Sequence, residues 1–293
     1  MTELRDQLID ATIEHLRQLK EQGVRFVTVS PENIAALSTF PNRDNPAKFT
    51  TRPPAQSRPE PRQPATPATL PATNSPPQIA TQLVPAEGQS KAQAMAALKD
   101  RAMQCVKCPH LASSRKNVVF GVGNIDADVM FVGEAPGADE DEQGEPFVGK
   151  AGQLLTKIIQ AMGLTRDQVY IANILKCRPN TPGQSAGNRK PTPEEMETCI
   201  PYLHAQIDLI QPKVLIALGA TAVEGLLGKT EGITRLRGNW KTYRNIPLMP
   251  TYHPAYLLRN QAMSEKRRVW EDMMQVMEKA GIPISDKQRA FFL

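Results

Sequence analysis

Residues 128–155 read DVMFVGEAPGADEDEQGEPFVGKAGQLL, and this stretch decides the fold class. It opens with a continuous apolar run, which is typical of a strand that is buried on both faces. The sequence GEAPG, residues 133–137, predicts a tight loop directly after that strand. Leucine and isoleucine then recur at helical spacing from Gly149 to Met162, so we expect a helix there. A buried strand, a loop and a helix in this order indicate an α/β unit.

The same alternation continues towards the C-terminus. Strands are expected over residues 169–175, 214–218 and 248–252. Helices are expected over residues 192–210, 221–227 and 265–280. Thr192 and Glu195 have the spacing of a capping box, which predicts the start of the first of these helices. We therefore predict an α/β domain over residues 92–293, with a central parallel sheet and helices on both faces. In such sheets the functional site lies at the carboxyl ends of the strands.

The first 91 residues differ from this domain in composition. Leucine and isoleucine recur at helical spacing from Thr2 to about Gly23, which predicts a helical segment within residues 1–39. Residues 40–91 hold twelve of the 26 prolines, mixed with Ala, Thr, Gln and Ser. Such a segment buries too little apolar surface to offset the cost of ordering the chain, so we interpret it as a disordered linker. The N-terminal helix is either a docking element for a protein partner or a tether without chemistry.

Composition narrows the functional class only modestly. The chain has 293 residues, of which 40% are hydrophobic, and a formal net charge of +5. No apolar run approaches the roughly 18 residues of a membrane span, and the N-terminus MTELRDQLID lacks the apolar core of a secretory signal. We expect a cytoplasmic, monomeric protein without membrane contact. The positive charge is compatible with a nucleic-acid partner but does not require one.

The chain contains only four cysteines: Cys105, Cys108, Cys177 and Cys199. A disulfide framework is not expected in a reducing compartment. One C-x-x-C pair followed by two later cysteines favours a metal site with four thiolate ligands. The spacing by itself allows zinc as well as an iron–sulfur cluster, and the proline after Cys108 slightly favours the cluster.

Three predicted strand ends carry residues suited to chemistry. Backbone amides of the GEAPG loop could hold an anion or a carbonyl oxygen. Asn173 opens the sequence NILKCRP, and its side-chain amide offers both a donor and an acceptor, which suits reading the edge of a base. Among the four histidines, only His253 follows a predicted strand, so it is the best candidate for a general acid. Each feature alone would be explained equally well as a turn, a cap or a core residue.

Together and in this order, the motifs resemble the family 4 uracil-DNA glycosylases, the iron–sulfur-containing type of that superfamily. The resemblance covers about Lys99 to Lys279 and does not extend to the first 90 or so residues. It rests on the C-x-x-C pair, GEAPG, EDEQGEPFVGKAGQLL, NILKCRP, the later cysteine, ITRLRGNW and HPAYLLR. It implies the fold of these glycosylases and uracil-containing DNA as substrate. The implied reaction hydrolyses the N-glycosidic bond of deoxyuridine, which releases uracil and leaves an abasic site in base excision repair.

The resemblance also implies a role for residues that contact the base. Phe147 would stack on the extruded uracil ring, and Asn173 would bond its O4 and N3–H edge and so reject cytosine. His253 would bond uracil O2 and stabilise the charge that develops as the base leaves. Glu140 would lie beside C5 and exclude the methyl group of thymine. Leu257 would enter the gap left by the flipped base.

For the hydrolytic step, the resemblance implies a weakly assisted attack by water. Ala135 stands where the best-known bacterial and human glycosylases carry a water-positioning aspartate. Gly133 and Ala135 would border the substrate, and Asn188 would hold the water. Glu134 belongs with the catalytic candidates, although we do not assign it as a base. The expected mechanism is dissociative, with an oxocarbenium-like sugar and a uracil anion.

The resemblance assigns the four cysteines to a [4Fe–4S] cluster whose role is to fix local folding rather than to carry out redox chemistry.

Two functional classes other than a glycosylase are considered. Relatives that bind uracil-DNA covalently carry a histidine in a basic loop, and residues 230–238 contain none. A non-catalytic DNA-binding module would have no need for Phe147, Asn173 and His253 together. Family 5 is disfavoured because its first motif lacks the equivalent of Glu134.

Overall fold

A computed structural model describes residues 89–180, 188–228 and 231–293. The predicted N-terminal helical segment and almost all of the predicted linker lie outside the described residues, so both stay predictions. The first described helix begins at Lys91, and the Ser90 side chain caps it by accepting a hydrogen bond from the Gln93 amide. The described structure thus includes a helix that starts one residue before the predicted domain boundary at residue 92.

The described part of the chain forms one six-stranded sheet in the order β1-β3-β2-β4-β6-β5. The strands are β1 Val122–Gly123, β2 Val129–Gly133, β3 Tyr170–Asn173, β4 Val214–Leu218, β5 Lys241–Tyr243 and β6 Ile246–Thr251. The four central strands run parallel to one another, which confirms the predicted central sheet. The two edge strands are antiparallel to their neighbours and were not predicted. β1 has two residues and β5 has three, too few for either to show a period of two.

Helices cover both faces of the sheet, as the α/β prediction requires. They are Lys91–Met103, Pro109–Ser114, Ala138–Gln143, Lys150–Ala161, Pro193–Ile210, Ala220–Leu227, Ile233–Leu236, Pro254–Arg259, Met263–Ala280 and Asp286–Arg289, with a 3₁₀ turn at Arg166–Gln168. The predicted capping box between Thr192 and Glu195 is present. None of the described helices combines the length and the apolar character that crossing a bilayer requires.

The alternating faces of β2 divide the interior into two cores. Met130 and Val132 pack on one face with residues of the helices Lys91–Met103 and Pro193–Ile210. Val129 and Phe131 pack on the other face with residues of the helices Lys150–Ala161 and Met263–Ala280. Burial on both faces explains why the strand is an uninterrupted apolar run. Because the four central strands are parallel, their carboxyl ends lie at the same end of the sheet. The three sequence motifs follow these strand ends.

Candidate active site

Gly133 brings two of the predicted site residues together. The register of the parallel strands pairs Gly133 at the end of β2 with Asn173 at the end of β3. A Cβ atom at Gly133 would lie 2.4 Å from Asn173 Oδ1 and 2.5 Å from Phe147 Cζ. Both distances are far below van der Waals contact, so only glycine leaves room for the amide and the ring at this strand end. We call Gly133, Phe147, Asn173 and His253 the strand-end pocket.

Phe147 has a backbone conformation that is unusual for its residue type. Its φ angle is 57°, in the left-handed region, although the residue is neither glycine nor asparagine. Its ring is 6% exposed, and its centroid lies 5.6 Å from that of His253, with 31° between the two planes. Such backbone strain persists only where surrounding contacts enforce it, and it concentrates at functional sites. The two rings thus form a fixed wall of the strand-end pocket.

Asn173 carries an open hydrogen-bonding position. The residue is 2% exposed, and its Oδ1 atom has no hydrogen-bond partner among the described residues. An unpaired buried polar atom costs roughly 1–3 kcal/mol, so proteins rarely leave one without a reason. A ligand that offers an N–H group at this strand end would supply the missing partner.

His253 is held as a neutral ring with one free donor. It is the N-cap of the helix Pro254–Arg259, and its Nδ1 atom accepts a hydrogen bond of 3.1 Å from the Ala255 amide. Burial, together with the nearby positive charge of Arg259, lowers the pKa of His253 to about 4. At neutral pH the proton therefore sits on Nε2, because Nδ1 serves as the acceptor. This ring can donate a hydrogen bond without carrying a positive charge.

Residues of the first motif and of a distant loop meet beside this pocket. Burial raises the pKa of the Glu134 carboxyl, which a hydrogen bond to Thr221 partly offsets. Ala135 is partly buried and packs against the core. Asn188 accepts a hydrogen bond of 2.8 Å from Arg178 Nε, and its Nδ2 atom lies 3.3 Å from the position of a Cβ at Gly137. The GEAPG loop and Asn188 are thus neighbours, and the role of Asn188 in holding water stays a prediction.

The Glu140 carboxylate contacts the backbone of two neighbouring loops. Its carboxylate accepts hydrogen bonds from the amides of Gly137, Val148 and Gly149 at 2.9, 3.0 and 3.0 Å. Both carboxylate oxygens are therefore engaged with the backbone of the GEAPG loop and of the loop that contains Phe147. Glu140 braces these loops, and the expectation that it faces C5 of the base gains no support from these contacts. Sequence reasoning missed this brace because the three amides belong to loops whose path depends on the fold.

Leu257 does not occupy the position expected for a residue that fills a gap in DNA. It is 5% exposed and packs with Tyr252 and Val269. This burial contradicts the expectation that Leu257 enters the space left by a flipped base. Its neighbour Leu258 is 40% exposed. In the short helix after His253, the leucine that faces solvent is therefore Leu258.

The four cysteines line one small pocket, together with apolar side chains such as Leu111 and Leu175. All four are free of disulfide bonds. Arg115 donates a hydrogen bond of 3.1 Å to Cys177 Sγ, and the Lys176 amide donates one of 3.3 Å to Cys199 Sγ. Burial raises the pKa of Cys199 to about 12. We call Cys105, Cys108, Cys177 and Cys199 the cysteine pocket.

The atoms that line the cysteine pocket include four sulfur atoms, the type of ligand that an iron–sulfur cluster uses. Four sulfur atoms surround an apolar cavity, and N–H donors point at two of them, as thiolate ligands of an iron–sulfur cluster require. No group of three or more His, Cys, Asp or Glu side chains within the described ranges is arranged around a single metal ion. The four-thiolate cluster therefore stays a prediction, and the observation that supports it is that the four cysteines line one apolar cavity.

Lys176 is a buried residue that sequence reasoning missed. Its ammonium group donates to the Asn173 carbonyl at 3.0 Å and to Gln206 Oε1 at 2.6 Å, and the side chain is 2% exposed. Burial lowers the pKa of Lys176 to about 8. A lysine after a strand normally lies on the surface, so nothing in the sequence distinguished this one. It joins the backbone of Asn173 to the helix that carries Cys199.

Comparison with known proteins places these features in one family. Residues 120–274 match the family model described as Uracil DNA glycosylase superfamily. The chain is 46% identical over 183 residues to a protein of Thermotoga maritima named Type-4 uracil-DNA glycosylase, an alignment that covers 61% of this chain and 91% of that protein. It is 42% identical over 195 residues to a protein of the same name from Sulfurisphaera tokodaii, covering 64% and 84%. A Type-5 uracil-DNA glycosylase of Pyrobaculum aerophilum is 28% identical over 215 residues, covering 62% and 90%.

Proposed function

The chain belongs to the uracil-DNA glycosylase superfamily, within its type-4 branch, and from this premise we propose how its residues excise uracil from DNA. The reaction hydrolyses the N-glycosidic bond of deoxyuridine, releases uracil and leaves an abasic site for repair. The target base must leave the DNA stack to reach a buried pocket, so recognition acts on an extruded nucleotide.

The unpaired Oδ1 atom of Asn173 is the observation that carries this proposal. Uracil presents an N3–H donor beside its O4 acceptor, and Oδ1 is a buried acceptor that lacks a donor within the described structure. Cytosine has an acceptor at N3 and an amine donor at C4, the reverse of the uracil pattern, so an Asn173 amide oriented for uracil would face acceptor with acceptor and donor with donor. Sites built around a required hydrogen bond reject analogues that lack it far more strongly than apolar pockets do.

Phe147 and His253 act on the same base from its face and its O2 edge. Phe147 supplies an apolar surface on which the extruded ring stacks. The neutral His253 ring donates its Nε2–H to O2, where negative charge accumulates as the glycosidic bond breaks. A neutral donor is suited to this step, because it stabilises the uracil anion without first having to be protonated.

Glu134 and Asn188 border the place where water adds to the sugar. Ala135 has no functional group for this step, so the water depends on these two neighbours of the GEAPG loop. Burial raises the pKa of the Glu134 carboxyl, and the proposed mechanism assigns no strong base to this residue. Bond cleavage therefore leads, and water captures the cation that forms.

Contact with the remaining DNA involves exposed residues that follow His253. Leu258 is the side chain that is free to enter the gap left by the extruded nucleotide, and Arg259 lies next to it on the surface. Apolar wedges of this kind pay for unstacking by holding the base outside the duplex. Gly133, Ala135 and the loops braced by Glu140 complete the border of the pocket.

Cys105, Cys108, Cys177 and Cys199 hold a [4Fe–4S] cluster that fixes the local fold. When bound, the cluster joins the N-terminal part of the domain to the strand that ends in Asn173, and its binding energy adds to folding energy. Anaerobically purified protein should contain about four iron atoms per chain, as a cluster of this type requires. Stoichiometric zinc without iron would reject the cluster.

A cytoplasmic location, a monomeric state and a partner for the N-terminal helix stay predictions from the sequence.

Uracil release from defined oligonucleotides tests the function directly. The wild type should release free uracil and leave an abasic site, whereas matched thymine and cytosine oligonucleotides stay intact. Asn173→Asp should weaken uracil excision while the protein keeps its iron, because Asn173 is not a ligand. A denaturant-resistant protein–DNA adduct would instead assign the chain to the covalent relatives, and binding without release of uracil would assign it to a non-catalytic module.

A further inference from the structure

Arg166 lies outside every motif that the function uses, yet it contacts the backbone of Phe147. It begins the 3₁₀ turn Arg166–Gln168, nineteen residues after Phe147. Its guanidinium donates to the Pro146 carbonyl at 2.8 Å and to the Phe147 carbonyl at 3.2 Å. A third hydrogen bond of 3.3 Å reaches Thr156 Oγ1 in the following helix. One side chain thus joins two successive carbonyl groups to a helix.

The Phe147 carbonyl needs such a donor because of where the backbone directs it. The carbonyl oxygen of Phe147 lies against the first turn of the helix Lys150–Ala161. A Cβ atom at Gly152 would lie 1.8 Å from that oxygen, so the carbonyl occupies space that a side chain would otherwise fill. A carbonyl enclosed in this way must find a hydrogen-bond partner inside the protein. Arg166 provides it.

Partial removal of the Arg166 guanidinium from water costs free energy, and its hydrogen bonds offset that cost. Partial burial lowers the pKa of the guanidinium, and the nearby charge of Glu145 partly offsets this. A partly desolvated cation is retained where its donors are engaged. The donors of Arg166 meet acceptors on both sides of Phe147 and on the helix that follows it, so the arrangement restrains the backbone on which the ring depends.

We propose that Arg166 is a positioning residue for uracil excision: by holding the Pro146 and Phe147 carbonyls, it keeps Phe147 in the left-handed conformation that presents its ring to the extruded base. Arg166 acts through Phe147 and touches neither uracil nor the reacting atoms. The inference rests on the stacking role of Phe147 in the proposed function. It adds a residue from outside the motifs to the elements that determine uracil affinity.

Product inhibition by free uracil, measured alongside kcat and KM on a uracil oligonucleotide, tests the proposal in the full-length iron-containing protein. Arg166→Met should raise the inhibition constant of uracil about 10-fold, as expected when charge-assisted hydrogen bonds that order a stacking residue are lost. Arg166→Lys should have an intermediate effect, because an ammonium group reaches one carbonyl but cannot form the same fork. In a Phe147→Ala background, Arg166→Met should change the constant by less than about 2-fold.

Arg267→Met is the matched control. The Arg267 guanidinium also donates to two backbone carbonyls, those of Arg289 and Phe291, at 2.9 and 2.8 Å. Its loss should lower the melting temperature to a similar degree as Arg166→Met and leave uracil affinity unchanged. A loss of affinity confined to the Arg166 variants would therefore separate positioning from general stability.

Each other outcome has a defined consequence. Wild-type uracil affinity in Arg166→Met, with the expected loss in Phe147→Ala, would overturn the inference and leave the proposed function intact. Fully additive effects in the double variant would also overturn it, because Arg166 would then act independently of Phe147. Normal affinity in Phe147→Ala would overturn both the stacking role and this inference. If Arg166→Met does not fold, Arg166→Lys decides by the same measurements.

Discussion

The strand-end pocket and the cysteine pocket lie at opposite ends of the five-residue segment Asn173–Cys177, yet they are built in opposite ways. In the strand-end pocket, the Asn173 oxygen is unpaired and Phe147 is strained. In the cysteine pocket, two sulfur atoms receive hydrogen bonds and the cavity is lined by leucines. A buried polar group without a hydrogen-bond partner is available to bind a ligand, whereas a group whose hydrogen bonds are all formed within the protein contributes to folding.

This contrast predicts that substitutions in the two pockets fail differently. Changes in the cysteine pocket should remove the folded protein, and changes in the strand-end pocket should remove activity from a protein that stays folded. The two outcomes are measurable on the same samples, because iron content and melting temperature report on one pocket and uracil release reports on the other.

The largest effect is expected for Cys199→Ser. Loss of one ligand removes metal-derived folding energy, so most of the soluble yield and nearly all of the iron should disappear. Iron analysis, circular dichroism and thermal melting measure this outcome. A variant that keeps full iron occupancy and the wild-type melting temperature would show that Cys199 is not a ligand.

His253→Ala comes next and should leave the fold intact. Loss of one hydrogen bond to the leaving base should reduce excision about 10²-fold or more, comparable to the loss of an oxyanion donor. His204→Ala is a suitable control, since His204 bonds the Tyr243 hydroxyl at 2.5 Å, on β5 at the edge of the sheet. Equal uracil release by wild type and His253→Ala, with normal iron in both, would place the leaving-group donor elsewhere.

The pH dependence of the free energy of unfolding tests whether His253 is neutral in the folded protein, and its expected effect is smaller. Because the folded-state pKa of His253 is lowered to about 4, from its ordinary value of 6.5, the unfolded chain binds a proton there before the folded protein does. The wild type should therefore lose stability as pH falls from 6.5 towards 4, and this loss should be absent above that window. Relative to His253→Ala, the extra loss should be about 2 kcal/mol. Denaturant unfolding of both proteins at pH 7.5 and 4.5 measures it, and parallel curves would refute a neutral, buried His253.

The smallest effect is expected from deletion of residues 1–89. Every matched motif lies beyond this segment, so excision on naked oligonucleotides should stay within about 2-fold of the full-length value, as expected for independent regions. The truncation should retain Ser90, whose side chain caps the first described helix. A large loss of turnover with the cluster still present would show that the N-terminal region belongs to the active unit.

Local sequence patterns predicted the central architecture well. The apolar runs that become β2 and β4, the capping box at Thr192 and the three strand-end motifs lie where they were expected. These features depend on neighbouring residues and on helix or strand periodicity, which a sequence displays directly. The edge strands escaped prediction because their pairing depends on partners far along the chain rather than on any pattern of their own.

Side-chain direction could not be predicted in the same way. Leu257 and Leu258 are adjacent and chemically identical, but one packs against Tyr252 and Val269 while the other faces solvent. The Glu140 carboxylate was expected at the base, and its oxygens instead accept from loop amides. In both cases the outcome depends on which surface the backbone presents, and that is fixed only when the elements pack together.

By itself, then, the sequence determined the α/β class, the order of the four central strands along the chain and the residue types available for base recognition and for a four-thiolate cluster. Only the tertiary structure decided that Gly133 must lack a side chain for Asn173 and Phe147 to meet, and that Arg166 holds the Phe147 backbone. The physical reason is the range of the interactions. Periodicity and caps act within a few residues, whereas close packing and buried hydrogen bonds join groups that approach one another only in the folded chain.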